Sequence, residues 1–151
     1  MTHTNQTPAR LFTRSINEPP EIQAAYEHLG KVFKDLRPTM AEIKDVVAAH
    51  YCVTPAKMES RIRSAHIVFA RHVFCYLSKK FTTASNGMIG KRVGGLDHTS
   101  VTHAIQRIET RQLNVPLLAD ELEVLRIKIA RRVLRRKHLQ EGGNGSDRTE
   151  N

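Results

Sequence analysis

Two adjacent glycines, Gly94 and Gly95, stand just before a run that leaves few foldings open. Polar Asp97, His98, Thr99 and Ser100 come first, and Val101, Ala104, Ile105 and Ile108 then recur at i, i+3, i+4 and i+7. That period is one buried stripe of an α-helix. The glycines supply a turn ahead of it. The helix therefore packs along one side while its polar first turn stays outside.

Helical periods run through the rest of the chain as well. Ile22, Tyr26, Leu29, Val32, Phe33 and Leu36 form an apolar stripe that Pro38 ends through the restriction it places on Arg37. Thr39-Met-Ala-Glu42 reads as a capping box opening a second helix with Ile43, Val46 and Val47 inside. Thr54-Pro55 is an N-cap followed by proline at the first helical position, and Arg61-Ile-Arg63 forms a basic loop. The strongest core helix spans about 64–81 and buries Ile67, Val68, Val73, Phe74, Leu77 and Phe81. Ser85 caps a short helix carrying Met88, Ile89 and Val93, and Gly90 lies where that helix meets the next. Pro116 breaks the pattern before a final helix, about 117–139, with Leu118, Leu122, Leu125, Ile129 and Val133 inward. Strand-like alternation is absent, so the expected fold class is all-α.

The expected organisation is a flexible arm over 1–18, an amphipathic N-terminal helix over 19–37 and a helix-turn-helix domain over 38–115. A basic C-terminal helix over 116–140 and a disordered tail over 141–151 follow. A length of 151 residues suits one compact domain with short extensions. The formal net charge of +9 favours a polyanionic partner, nucleic acid ahead of an anionic membrane. Two cysteines without CxxC spacing, Cys52 and Cys75, read as reduced, packed thiols. No apolar run approaches the ~20 residues that span a bilayer, and residues 1–18 lack the apolar core of a signal peptide. A cytoplasmic, nucleoid-associated protein is the expectation.

The run Gly95-Leu-Asp-His-Thr-Ser-Val-Thr-His-Ala104 resembles the hallmark of the C-terminal DNA-binding domain of the bacterial replication initiator DnaA. Arg63, Ile67-Val68, Ala70-Arg71, Tyr76-Leu77, Lys79, Ser85 and Ile89-Gly90 stand at the offsets of that family, and the resemblance covers roughly 39–112. It implies a helix-turn-helix of the Trp-repressor-like type with flanking helices, binding double-stranded DNA at initiator-type sites. It also implies a recognition helix in the major groove and the basic-loop arginine, Arg63, in the adjacent minor groove. A narrow A/T-rich minor groove attracts arginine through its negative potential.

On that resemblance, Arg63, Asp97, His98 and Thr99 are the base-reading candidates. Arg61, Arg71, Lys79, Ser85, Ser100, Thr102 and His103 are candidates for phosphate, and Arg131, Arg135 and Arg136 for further DNA contact. Several carry a plainer reading. Asp97 is a standard N-cap as well as an acceptor for a cytosine amino group, and both uses are open to one carboxylate. Arg71 could hold its helix against a neighbour instead of meeting phosphate. The charges of the last helix could simply be solvated. Leu96 stands where the family usually has arginine, which removes a charge near the DNA.

Neither a nucleotide nor a metal is expected. Gly87-Met-Ile-Gly90-Lys91-Arg92 lacks the glycine spacing and the Ser/Thr after lysine of a phosphate loop. His98 and His103 are not at the i, i+4 spacing of a helical metal pair. No nucleophile grouping is evident, so catalysis is not expected. Only about forty residues precede the domain, too few for an initiator's ATPase module, so the reading is a free-standing DNA-binding domain without cofactors. It would act by competing at initiator sites or by regulating transcription. The alternative is an adaptor or structural nucleoid protein. It would bind DNA non-specifically and dock a protein partner, or a second copy, through the N-terminal helix. RNA binding fits less well, since aromatics make up 5% of the chain.

Overall fold

A computed structural model describes residues 20–143, and within them seven helices follow one another without a strand. They are α1 Pro20–Asp35, α2 Met40–His50, α3 Pro55–Glu59, α4 Ala65–Phe81, α5 Asn86–Lys91, α6 His98–Asn114 and α7 Pro116–Gly142. The expected arm over 1–18 and most of the expected tail lie outside the described residues. Among the described residues, no helix is long and apolar enough to cross a membrane.

The boundaries follow from local chemistry. Thr39 and Glu42 close the capping box: the Glu42 backbone N–H donates to Thr39 Oγ1 at 3.2 Å, and the Thr39 N–H donates to Glu42 Oε2 at 2.8 Å. Thr54 caps α3 through the Lys57 N–H, with Pro55 at the first helical position. Val115 is the only residue between α6 and α7. Pro116 has no N–H to continue α6, yet its fixed φ suits the first turn of α7. α7 runs to Gly142, slightly beyond the expected end, because no residue before Gly143 interrupts it.

The core gathers on α4, which packs against α2, α5 and α6, while α7 closes the far side against α2 and α6. Phe74, Val73, Leu77, Ile43, Val47, Ile89, Val101 and Ile108 are sealed inside, as are Leu125, Ile129 and Val133 of α7. Burying each large aliphatic or aromatic side chain contributes about 1.5–3 kcal/mol. α1 rests on α7, burying Val32 and stacking Phe33 on Phe81 with ring centroids 4.5 Å apart. Val32, Phe33 and, just past its end, Leu36 are thus used within the chain. Ile22 and Tyr26 lie outside the described side chains.

Three packing expectations need correction. Val68 and Phe81 are only half-buried, while the short α5 buries Ile89 and Gly90 and leaves Met88 54% exposed. The two cysteines also differ. Cys75 is wholly buried, but Cys52 is exposed just past the end of α2. There Cys52 has φ 53°, with its N–H on the Ala49 carbonyl and the Val53 N–H on the Ala48 carbonyl. This left-handed cap usually carries glycine.

Charged pairs clamp α7 to α2. Arg132 meets Asp45 at 2.7 Å, and Arg136 meets Glu42 at 2.8 Å while also donating to the Arg37 carbonyl at 3.0 Å. His50 bridges Glu121 and Lys128 at 2.9 and 3.0 Å. Arg136, expected to reach DNA, is therefore part of a structural clamp.

Burial pushes the Cys75 thiol up to about 12, which keeps it protonated and unreactive near neutrality. A thiol reagent at pH 8 should label one cysteine per native chain, and the label should map to Cys52. Both should react in denaturant, and rapid native labelling of Cys75 would contradict the packing of α4.

Candidate nucleic-acid interface

The site is built from two segments distant in sequence, the loop between α3 and α4 and the turn between α5 and α6. Arg71 organises the first. It is 6% exposed, and its guanidinium enters the loop from below. Nε donates to the Met58 carbonyl at 2.8 Å, Nη1 to that of Ile62 at 2.6 Å, and Nη2 to those of Lys57 and Ser60. Burial lowers its pKa from the ordinary arginine value. A planar fork that satisfies several carbonyls at once is what arginine offers and lysine does not. Arg71, a phosphate candidate from sequence, thus spends Nε, Nη1 and Nη2 on loop carbonyls, the plainer of its two readings. With the backbone held from inside, Arg61 and Arg63 stay exposed.

In the second segment, α5, the turn and α6 form the helix-turn-helix. Gly90 is where the turn crosses α5. A Cβ there would lie 1.9 Å from the Leu96 carbonyl oxygen, and the Leu96 N–H donates back to the Gly90 carbonyl at 3.0 Å. Gly94 has φ +78°, and a Cβ on it would sit 2.7 Å from the Ser60 carbonyl oxygen. The glycine turn thus lies directly against the basic loop. Leu96, where the resemblance leads one to expect arginine, packs half-buried onto the core.

These contacts bring the two segments to one open groove of about 550 Å³, lined by Arg61 and Arg63 on one side and Gly95, Asp97 and Ser100 on the other. Asp97, His98 and Thr99 are exposed. Asp97 caps α6, accepting the Ser100 N–H at 2.7 Å. That hydrogen bond holds its carboxyl below the usual aspartate range, so it is an ionised acceptor at neutral pH. His72, half-buried in the same groove, is held below the ordinary imidazole range by burial and by Arg107 and Arg71. It stays neutral there, and the cationic character of the groove rests on arginine.

The remaining candidates separate. Lys79 is exposed in the last turn of α4. Ser85 is exposed and caps α5 through the Met88 N–H at 3.3 Å, leaving its own O–H to donate. The Thr102 hydroxyl donates to the His98 carbonyl and accepts from Asn86 Nδ2, both at 2.9 Å, tying α6 to α5. His103 is exposed and shares a second cleft of about 330 Å³ with Gln106, Arg107, Thr110 and Arg111. Arg107 and Arg111 were missed from the sequence. Their i, i+4, i+8 spacing from His103 continues the outer stripe of α6 and was the available signal. Arg111 lies over the Phe69 ring at 5.2 Å, a cation–π contact that fixes this end of the stripe. Arg131 and Arg135 are exposed on α7 and do not line either cleft.

Gly90→Ala should destabilise the chain by about 1–3 kcal/mol, as overpacking against unyielding backbone does. Urea unfolding measures it, and a variant as stable as wild type would mean that the turn is not seated on α5.

Comparison with known proteins agrees with this geometry. Residues 40–108 match the family model described as bacterial dnaA protein helix-turn-helix. The chain is 40% identical over 119 residues to the chromosomal replication initiator protein DnaA of Mesorhizobium japonicum, covering 77% of this chain and 24% of that protein. It is 38% identical to the same initiator of Rhizobium meliloti and 39% to that of Bartonella quintana, each over 119 residues and 77% of the chain. The chain spans about a quarter of the length of these relatives. Both halves of the groove, the arginine loop and the capped α6, fall inside the matched span. Residues 40–108 thus belong to the bacterial DnaA helix-turn-helix family.

Proposed function

We propose that the chain binds double-stranded DNA sequence-specifically, with the first turn of α6 in the major groove and Arg63 in the adjacent minor groove. The observation that carries this reading is the shared groove: Arg63 and Asp97 come from segments 34 positions apart and line one surface. Asp97 accepts from an exocyclic amino group with a carboxylate already oriented by its capping bond. His98 can donate or accept at a base edge, and Thr99 offers a methyl to thymine and a hydroxyl to an acceptor. Ser85, Ser100, His103, Lys79 and Arg61 supply phosphate contacts that set register without reading sequence.

In the cell, the chain occupies sites of the initiator type and regulates replication initiation or transcription there. The matched domain is a DNA-binding module without catalytic chemistry of its own, and the reading requires no cofactor. The N-terminal helix gives the adaptor reading no specific support, since Val32 and Phe33 are turned onto the domain.

Selection of duplexes from a random pool at moderate salt should enrich a single motif. Replacing His98 with Ala and Thr99 with Val together should cut the preference for that motif over scrambled duplex by about 10- to 100-fold, the scale of one to two base contacts. Binding that discriminates as well as wild type would remove α6 from the reading. Lys79→Ala should instead weaken binding to every duplex alike and lower the log–log salt slope by about 0.9. An unchanged slope takes Lys79 off the phosphate list.

A further inference from the structure

We propose that the outer face of α7 pairs two copies of this chain as antiparallel helices. α7 has 27 residues, about 40 Å of helix. It carries two apolar stripes rather than one. Leu118, Leu122, Leu125, Ile129 and Val133 are buried against the domain. On the opposite side stand Leu117, 77% exposed, Val124, 45% exposed, and the half-buried Ile127 and Leu134. Ile127 follows Leu118 by about two and a half turns, which sets the stripes on opposite faces. The second stripe occupies positions 117, 120, 124, 127, 131 and 134, the alternating three- and four-residue spacing of a helix seam. Scattered exposed leucines need no explanation, but a seam at that spacing does.

The charges of α7 select the occupant. Its first half holds Asp120, Glu121 and Glu123 with no basic residue before Arg126. From Lys128 to Lys137 the charges are all basic: Lys128, Arg131, Arg132, Arg135, Arg136 and Lys137. A parallel copy would set like charge on like charge. Glu121, Glu123, Arg132 and Arg136 are paired within the chain, so on the outer face the contrast is Asp120 in the first half against Arg131 and Arg135 in the second, which an antiparallel copy sets opposite one another. With the two-fold axis between residues 125 and 126, Leu117 faces Leu134, Val124 faces Ile127 and Asp120 faces Arg131. One register satisfies all three layers. It is also self-complementary, as a closed two-fold interface requires. Arg131 and Arg135, expected from sequence to touch DNA, then flank an apolar seam between copies. Aliphatic residues interleaved with Arg131 suit a helix better than a phosphate backbone. The inference is independent of what the groove binds.

Sedimentation equilibrium of the full chain tests it. Wild type should show a monomer–dimer equilibrium, and Val124→Ser should raise the dimer dissociation constant at least about tenfold with an unchanged circular dichroism spectrum. Asp120→Arg and Arg131→Asp should each be monomeric at concentrations where wild type is dimeric. An equimolar mixture of these two variants should restore dimers, because each supplies the charge the other lacks. Monomeric wild type up to about 1 mM would overturn the proposal, as would single variants that dimerise like wild type or a mixture that stays monomeric. A monomeric wild type whose DNA salt slope falls in Arg131→Ala would assign the face to DNA instead.

Discussion

The backbone around Ser60 is the point on which both halves of the groove depend. Its carbonyl accepts from the buried guanidinium of Arg71 and lies where a Cβ on Gly94 would intrude. One loop is thus held from beneath by α4 and touched from the side by the turn leading into α6. Exposed arginines on an unsupported loop would sample many positions. Here the loop backbone has partners in the core, and the side chains of Arg61 and Arg63 stand exposed. A recognition surface needs its supporting shell fixed before its contacting groups can be placed, and Arg71 and the glycine turn supply that shell.

The cationic character of the chain divides by location rather than by count. Arg132 and Arg136 hold α7 to α2, Arg126 pairs with Glu123, and Arg71 is internal. Arg61, Arg63, Arg107 and Arg111 are exposed and line the clefts, and Lys79 is exposed at the end of α4. The net charge of +9 already subtracts the acids that meet these cations, and the fold decides where the uncompensated arginines and lysines stand. The exposed Arg132–Asp45 pair contributes little to stability by itself.

Much of the fold was legible because its punctuation is local. Thr39 with Glu42, Thr54 with Pro55, Ser85, Asp97 and Pro116 each act within one helical turn, and each boundary falls where those residues place it. The inward stripes of α6 and α7 were likewise readable from period alone. Burial at the margins was not. Val68, Phe81 and Met88 have the right spacing for a core, but whether a neighbour reaches them depends on the lengths and crossing angles of other helices. Cys52 shows the same limit in another form, since a thiol that looks packable sits at a left-handed cap facing solvent.

For the site, the residue types at 97–99 and the likeness of 39–112 to the initiator domain determined the kind of surface, because an N-capped polar first turn ahead of an apolar stripe has only one side to expose. What the tertiary structure decided was how each polar group is used. Arg71 and Thr102 have the chemistry of phosphate ligands, yet loop carbonyls and Asn86 lie closer to them than solvent does. Arg107 and Arg111 look like ordinary surface charges until α6 lines them up with His103. A hydrogen-bonding side chain serves whichever partner the fold brings within about 3 Å, and that partner comes from another part of the chain.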